Sequence, residues 1–183
     1  MSAPKITLSC LLAVSFAAAC ASGAASAKEF YVGEPVVKND LQLVPHYLLG
    51  IEMAPMPKGM NHGNDAVHLE LDVHATKDEK HGFKEDEWMP YLTIEYSIEK
   101  NGSKFRKTGT LAAMAAGDGP HYANNVELAG EGDYKLTYRL SPPSKAGFVR
   151  HVDKATGVPD WWQPFSVSWN FHYPTKKIGS EKK

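Results

Sequence analysis

Two imidazoles and two carboxylates alternate with apolar residues in the stretch from Val67 to His74. Side chains along a β-strand point alternately to its two faces, so a strand here would bury the apolar residues. His68, Glu70, Asp72 and His74 would then share the opposite face. Such a row is a ready set of metal ligands. The alternative is the wet face of an edge strand, which this stretch taken alone favours.

A thioether and a third imidazole flank a predicted turn. Asp118-Gly119-Pro120 is typical of a turn, because proline fixes its own φ and favours an extended residue before it. The segments on either side should return toward each other and bring Met114 close to His121. The alternatives are a gap-filling Met114 in the core and a His121 that bonds the turn backbone.

These donors together predict a copper site. Imidazole suits copper, zinc, nickel and iron, whereas a thioether is soft and favours copper, especially Cu(I). Zinc usually recruits cysteine or more histidine, and calcium and magnesium take oxygen ligands. A hydrolase nucleophile is not indicated, because the chain has no Gly-x-Ser-x-Gly motif.

The first 27 residues have the pattern of a secretory signal peptide. Lys5 precedes an uncharged run over residues 6–19, and Ala25-Ser26-Ala27 is a small-x-small cleavage site. We therefore expect cleavage after Ala27 and a single periplasmic domain over residues 28–183. The competing interpretation is a lipidated Cys20, although the lipobox would then have Ala17 where a large aliphatic residue is usual.

The composition of the chain excludes several classes of function. The chain of 183 residues is 43% hydrophobic and 22% charged, as in ordinary globular proteins. Its 20 basic and 21 acidic residues leave no positive excess to neutralise phosphates, so a nucleic-acid partner is not expected. Both cysteines precede residue 28, which excludes a thiolate nucleophile, a cysteine zinc site and a blue-copper site from the mature domain.

Four stretches alternate with period two and predict half-buried strands: 67–74, 92–99, 134–140 and 165–173. Glycine, proline and Asn-Gly turn signals separate them. This pattern favours an all-β fold, an antiparallel β-sandwich. Gly132-Asp133-Tyr134 resembles the tyrosine corner of immunoglobulin-like domains. Residues 53–64, 77–87 and 142–164 are predicted loops.

Three motifs in one order resemble the periplasmic iron-transport protein family. They are Ala66–Ala75, Trp88–Ile94 and Asp118–Tyr122. The family includes FetP-type proteins encoded beside FTR-type iron permeases and a treponemal lipoprotein antigen. The resemblance implies an immunoglobulin-like β-sandwich, a homodimer with copper sites at its interface, and a role in iron uptake with an inner-membrane permease.

Carried over residue by residue, the resemblance implies five copper ligands. His68 and Glu70 come from one strand, Met114 and His121 from the turn region, and His151 of the partner subunit completes the site. Family members usually have Met-Pro-Met before the turn. This chain has Ala112-Ala113-Met114 and keeps only the methionine expected to bind copper.

Secondary ligands are also predicted. Met60 is the expected helper ligand in a methionine-rich loop, and the alternative there is a proline-stiffened loop packed on the sandwich. Asp72 could join Glu70 in binding iron. Four other histidines are expected to be structural or to lie on the surface, namely His46, His74, His81 and His172. Trp161, Trp162 and Trp169 are expected in the core or an interface.

The leading functional hypothesis is an accessory protein of iron acquisition. It would bind copper and present, oxidise or receive iron for an FTR-type permease. The copper-assisted redox step is a hypothesis from ligand softness, and we do not classify the chain as an enzyme. One alternative is a periplasmic copper carrier or buffer unrelated to iron. Another is a structural or adhesion sandwich whose histidine-rich face is incidental.

Overall fold

The computed structural model describes residues 28–63 and 66–174. The predicted signal peptide and the alternative lipidation at Cys20 lie outside the described residues, as do the last residues of the predicted domain. Within the two described ranges, no helix has the length and apolar character needed to cross a membrane.

Within residues 28–63 and 66–174, ten strands form two antiparallel β-sheets. They are β1 (Phe30–Tyr31), β2 (Val36–Lys38), β3 (Leu41–Leu49), β4 (Val67–Ala75), β5 (Thr93–Lys100), β6 (Arg106–Thr110), β7 (Ala112–Ala116), β8 (Gly119–Val126), β9 (Gly132–Ser141) and β10 (Phe165–Tyr173). The first sheet has the order β1-β3-β4-β8-β7, with β2 also paired to β3, and the second has the order β10-β9-β5-β6. A short 3₁₀ helix spans Pro143–Ala146. The predicted all-β, immunoglobulin-like sandwich is therefore confirmed.

The core lies between the sheets and follows the predicted alternation. On β4, Leu69, Leu71 and Val73 have no exposed surface, and Leu136 and Leu140 on β9 are equally buried. All four predicted strands are present, with bounds that differ from the alternation by no more than two residues. Period-two patterning thus identified the strands that have one face in this core.

β3 has no clean alternation because both of its faces are covered. Its sequence LQLVPHYLL contains four buried apolar or aromatic residues together with a buried His46 and a buried Pro45. Strands buried on both faces give a continuous apolar run rather than a period of two. This is why the sequence did not predict β3, although β3 is the neighbour of β4 in the first sheet.

The tyrosine corner suggested by Gly132-Asp133-Tyr134 is present. The Tyr134 hydroxyl donates a 2.6 Å hydrogen bond to the carbonyl of Gly130, four residues earlier. The Tyr134 ring is fully buried and stacks on Phe171 of β10, with ring centroids 5.7 Å apart. The hydrogen bond therefore holds the chain just before β9 to the Tyr134 ring, and that ring packs against β10.

Tyr134→Phe should lower the free energy of unfolding by about 1 kcal/mol, because it removes this hydrogen bond and leaves the ring in place. Urea denaturation followed by circular dichroism measures the change. Tyr31→Phe is the control, because 67% of Tyr31 is exposed; its effect should stay within about 0.5 kcal/mol. Equal effects of the two substitutions would contradict a stabilising role for the corner.

Candidate metal centre

The polar face of β4 is buried at His68 and Glu70 and half-buried at Asp72 and His74. β4 lies between β3 and β8 in the first sheet, so it is not an edge strand. His68 is 2% exposed and Glu70 is 4% exposed, although both point away from the core between the sheets. The interpretation of this row as a wet edge face is therefore wrong. Buried ionisable groups require partners, and here they provide them for one another.

The carboxylate of Glu70 is surrounded by three imidazoles. Its Oε1 lies 3.1 Å from Nε2 of His46 and 3.3 Å from Nδ1 of His121, and its Oε2 lies 3.8 Å from Nε2 of His68. Strand register causes this arrangement, because His46 on β3 pairs directly with Glu70. Met114 and His121 are likewise directly opposite each other in the β7–β8 hairpin.

Met114 and His121 lie opposite each other, as was predicted from the turn between them. The hairpin has two turn residues, Gly117 and Asp118, between β7 and β8. Met114 lines the same cavity of about 730 Å³ as His68, Glu70 and His121. The ligand atoms of these last three residues all lie within 4.8 Å of one another. These four residues therefore bring a thioether, two imidazoles and a carboxylate to one space, which Met53 and Asp118 also line.

This donor set fits a bound metal ion. Nε2 of His121 is buried and has no hydrogen-bond partner among the described residues. A buried nitrogen in that state is unfavourable unless something binds it. Imidazole nitrogen and thioether sulfur are ligands for copper and related transition metals. The residues present would hold such an ion through His68, Glu70, Met114 and His121.

Asn125 fixes the orientation of His68. Its Oδ1 lies 2.7 Å from Nδ1 of His68, so Nδ1 carries the proton and Nε2 is left with its lone pair toward Glu70. The Asn125 amide donates two further bonds, to the carbonyl of Ile51 at 3.0 Å and that of Asn61 at 2.8 Å. One side chain thus connects a candidate ligand to both ends of a loop.

That loop forms the wall of the cavity. Residues 51–55 and Pro57 line the space next to His68 and Glu70. The loop closes on itself where Gly63 approaches Ile51 so closely that a Cβ would lie 2.4 Å from the Ile51 carbonyl oxygen. The Glu52 carboxylate also accepts a 2.8 Å hydrogen bond from the Gly63 amide. Only glycine fits at position 63 without moving the loop.

The pKa values of three side chains in this cluster are shifted, and not all in the same direction. Burial lowers the pKa of His68 below its usual value, against the opposing effects of Asn125 and Glu70. Burial also acts to lower the pKa of His46, but the hydrogen bond and charge of Glu70, with the charges of Asp72 and Glu29, outweigh it and raise that pKa. Burial raises the pKa of Asp72. His68 is therefore suited to binding metal as the neutral imidazole.

The structure separates the remaining predicted ligands from this cavity. His151 lies on an exposed loop, with its Nδ1 2.8 Å from Oγ1 of Thr156, so its predicted role depends on a partner subunit. Met60 lines a neighbouring cavity, whereas Met53 from the same loop lines the cavity of His68. Asp72 is close to His46 and Glu70 rather than to the two cavity histidines.

Comparison with known proteins identifies the family of the chain. A family model described as Fe2+ transport protein matches residues 26–175. The chain belongs to this family. It is 41% identical over 152 residues to the UPF0423 protein BAB2_0840 of Brucella abortus, covering 81% of this chain and 84% of the relative. It is 34% identical over 155 residues to the 34 kDa membrane antigen of Treponema pallidum, covering 82% and 76%.

Solved structures of this iron-transport family share the fold. FetP from uropathogenic E. coli strain F11 superposes with a TM-score of 0.77 at 46% identity, over 82% of this chain and 99% of FetP. Copper-reconstituted P19 from Campylobacter jejuni superposes with a TM-score of 0.76 at 42% identity, over 80% and 96%. The predicted family membership is thus confirmed.

Sequence reasoning missed two residues of this iron-transport protein's site. His46 was expected to be structural or on the surface, yet it contacts the central carboxylate. Asn125 was not considered, although it holds His68. A polar residue within an apolar strand was the available signal for His46. No pattern pointed to Asn125, since its role depends on its direct pairing with His68 across β4 and β8.

Asn125→Ala should weaken transition-metal binding about 10- to 100-fold, because His68 loses the partner that fixes its tautomer. Co²⁺ titration, followed by visible absorption, measures the affinity. The loop should also become easier to cleave between residues 51 and 61. Asn124→Ala is the matched control, because that amide bonds the Thr110 carbonyl instead. Unchanged Co²⁺ affinity in Asn125→Ala, with the fold intact, would contradict this role.

The metal-free protein should show a pH-dependent contribution from His46. A raised folded-state pKa stabilises the fold below about pH 6.5, and that stabilisation is lost as the pH rises through the folded-state value. The free energy of unfolding of wild type should therefore exceed that of His46→Gln by more at pH 6 than at pH 8.5. Urea denaturation in a chelator tests this, and a difference that grows with pH would refute it.

Proposed function

We propose that this chain is a periplasmic copper-binding accessory protein of iron uptake, which presents iron to an inner-membrane permease. Its copper ligands are His68, Glu70, Met114 and His121, completed by His151 of the partner subunit in a homodimer. The observation that carries the proposal is the mixed donor set around one cavity, with the buried Nε2 of His121, which has no hydrogen-bond partner among the described residues, in its wall.

The chemistry of the donors supports copper. Met114 adds a soft sulfur to two imidazoles, and that combination matches Cu(I) and Cu(II) better than zinc, calcium or magnesium. Copper bound there supplies one-electron redox chemistry. Two homologues of more than 40% identity are copper-bound in their solved structures, namely a variant of FetP and reconstituted P19. The chain's own residues orient and desolvate the ion.

The exposed loop that carries His151 supports a dimer. Val149 is 84% exposed and Val152 is 76% exposed, so two aliphatic side chains flank the imidazole in solvent. Aliphatic side chains so exposed gain free energy when another protein surface covers them. An approaching subunit would bury both valines and carry His151 toward the cavity of its partner.

Export and the iron-uptake role rest on other observations. The signal-peptide pattern precedes the first described residue, and homologous FetP was expressed in the periplasm of E. coli. The family description names Fe2+ transport. Carboxylates at Glu70, Asp72 and Asp118 supply the oxygen donors that ferrous iron accepts beside nitrogen.

Copper binding tests the site. Met114→Leu should lower Cu(I) affinity at least tenfold, because it conserves volume and removes the sulfur. Competition with a chromogenic Cu(I) chelator gives the affinity. Met56→Leu is the control, since Met56 does not line the His68 cavity. Equal affinities of Met114→Leu and wild type would refute the assignment of Met114 as a ligand.

Iron retention separates the iron-uptake role from a copper carrier. Copper-loaded protein is dialysed against Fe²⁺ without oxygen, and its iron content is compared with that of copper-loaded Glu70→Gln. Iron that stays with wild type and is depleted in the variant supports the proposal. Copper-loaded protein that holds no iron is instead a copper carrier or buffer.

A further inference from the structure

A second group of donors lies beside the proposed copper site. The ligand atoms of His46, Glu70 and Asp72 all lie within 4.8 Å of one another. Neither His46 nor Asp72 lines the cavity that holds Met114 and His121. The two groups therefore meet at Glu70 and extend from it in different directions.

His46 presents an unused nitrogen to Asp72. Its Nε2 is engaged by Oε1 of Glu70 at 3.1 Å, and its Nδ1 lies 3.8 Å from Oδ2 of Asp72, too far for a hydrogen bond. Nδ1 is buried and has no hydrogen-bond partner in the part of the chain that the structure describes. His46 as a whole is 3% exposed. A purely structural histidine would not need this nitrogen to face a carboxylate without bonding it.

We propose that Nδ1 of His46 and the carboxylate of Asp72 bind a second divalent cation, beside the copper position. In this arrangement Nε2–H of His46 donates to Glu70, which fixes the tautomer that presents Nδ1 to the ion. Histidine ligands commonly donate their other nitrogen to a carboxylate in this way. Asn125 holds His68 for the first position by the same principle.

The donors of the second position select a harder ion than copper. Nitrogen and carboxylate oxygen, without sulfur, suit Fe²⁺ and Mn²⁺. The charges of Asp72 and Glu29 act on His46 in addition to that of Glu70, so negative charge converges on this point. The side chain of Asp72 is 27% exposed, so water can complete the coordination and the ion can enter and leave from solvent. These properties suit an ion in transit.

This inference rests on the proposed iron function, and it names where the iron would bind. The alternative role for the pair is a hydrogen-bonded brace between β3 and β4. A brace would explain the bond from His46 to Glu70. It does not explain the buried, unbonded nitrogen that faces Asp72.

The test uses copper-loaded protein and Mn²⁺ as the probe, because bound Mn²⁺ loses the EPR signal of the free aqueous ion. Wild type should bind one Mn²⁺ while copper stays in place. Asp72→Asn and His46→Gln should each weaken Mn²⁺ binding at least tenfold, and Asp72→Asn should retain copper. Asp133→Asn is the matched control, because Asp133 pairs with the exposed His172 at 2.8 Å; it should leave both affinities unchanged.

The outcomes distinguish this inference from the proposed function. Loss of copper from Asp72→Asn would place Asp72 in the copper site and overturn a separate position. Normal copper binding with Mn²⁺ affinity unchanged in both variants, or with no Mn²⁺ bound by wild type, would overturn the second position and leave the copper site standing. Failure of wild type to bind copper would instead refute the proposed function.

Discussion

The arrangement of the site depends on the buried carboxylate of Glu70. Three imidazoles from three strands approach its two oxygens at 3.1, 3.3 and 3.8 Å. A carboxylate out of contact with water requires positive or hydrogen-bonding partners. Strand pairing supplies His46, and His68 lies two residues away on the same strand. Because neighbouring residues on a strand face opposite ways, a shift of β4 by one position would send Glu70 into the apolar core and remove every one of these contacts.

Strands of the sandwich could be predicted from the sequence where they have one buried face. The alternation in β4 correctly placed His68 and Glu70 on the face opposite the core. The turn expected at residues 118–120 correctly paired Met114 with His121, although the turn residues are Gly117 and Asp118. Both inferences rest on local geometry, namely the pleat of one strand and the return of one hairpin. Local geometry is the part of a fold that a sequence pattern encodes directly.

Sequence patterns did not predict the contacts between segments that lie far apart in the chain. His46 reaches Glu70 only because β3 and β4 pair in one register across an intervening loop. The face of His68 is buried because that loop folds back, which requires the close approach of Gly63 to Ile51 and the amide of Asn125. No periodicity reports either event. The residues missed at the site are therefore those whose roles arise from strand pairing and loop closure.

The charges around Glu70 explain why one cluster could serve two ions of different character. On the side of the His68 cavity, the donors other than Glu70 are two imidazoles and the half-buried sulfur of Met114, so that side suits a soft ion. Toward β3 a second carboxylate, Asp72, stands next to His46. Two cations on either side of one carboxylate repel each other, and the added anion offsets that repulsion where it would otherwise be greatest. Burial raises the pKa of Asp72, and a cation bound beside it would act in the opposite direction. In the proposed arrangement, the carboxylate that completes the copper donor set also orients His46 toward the second cation.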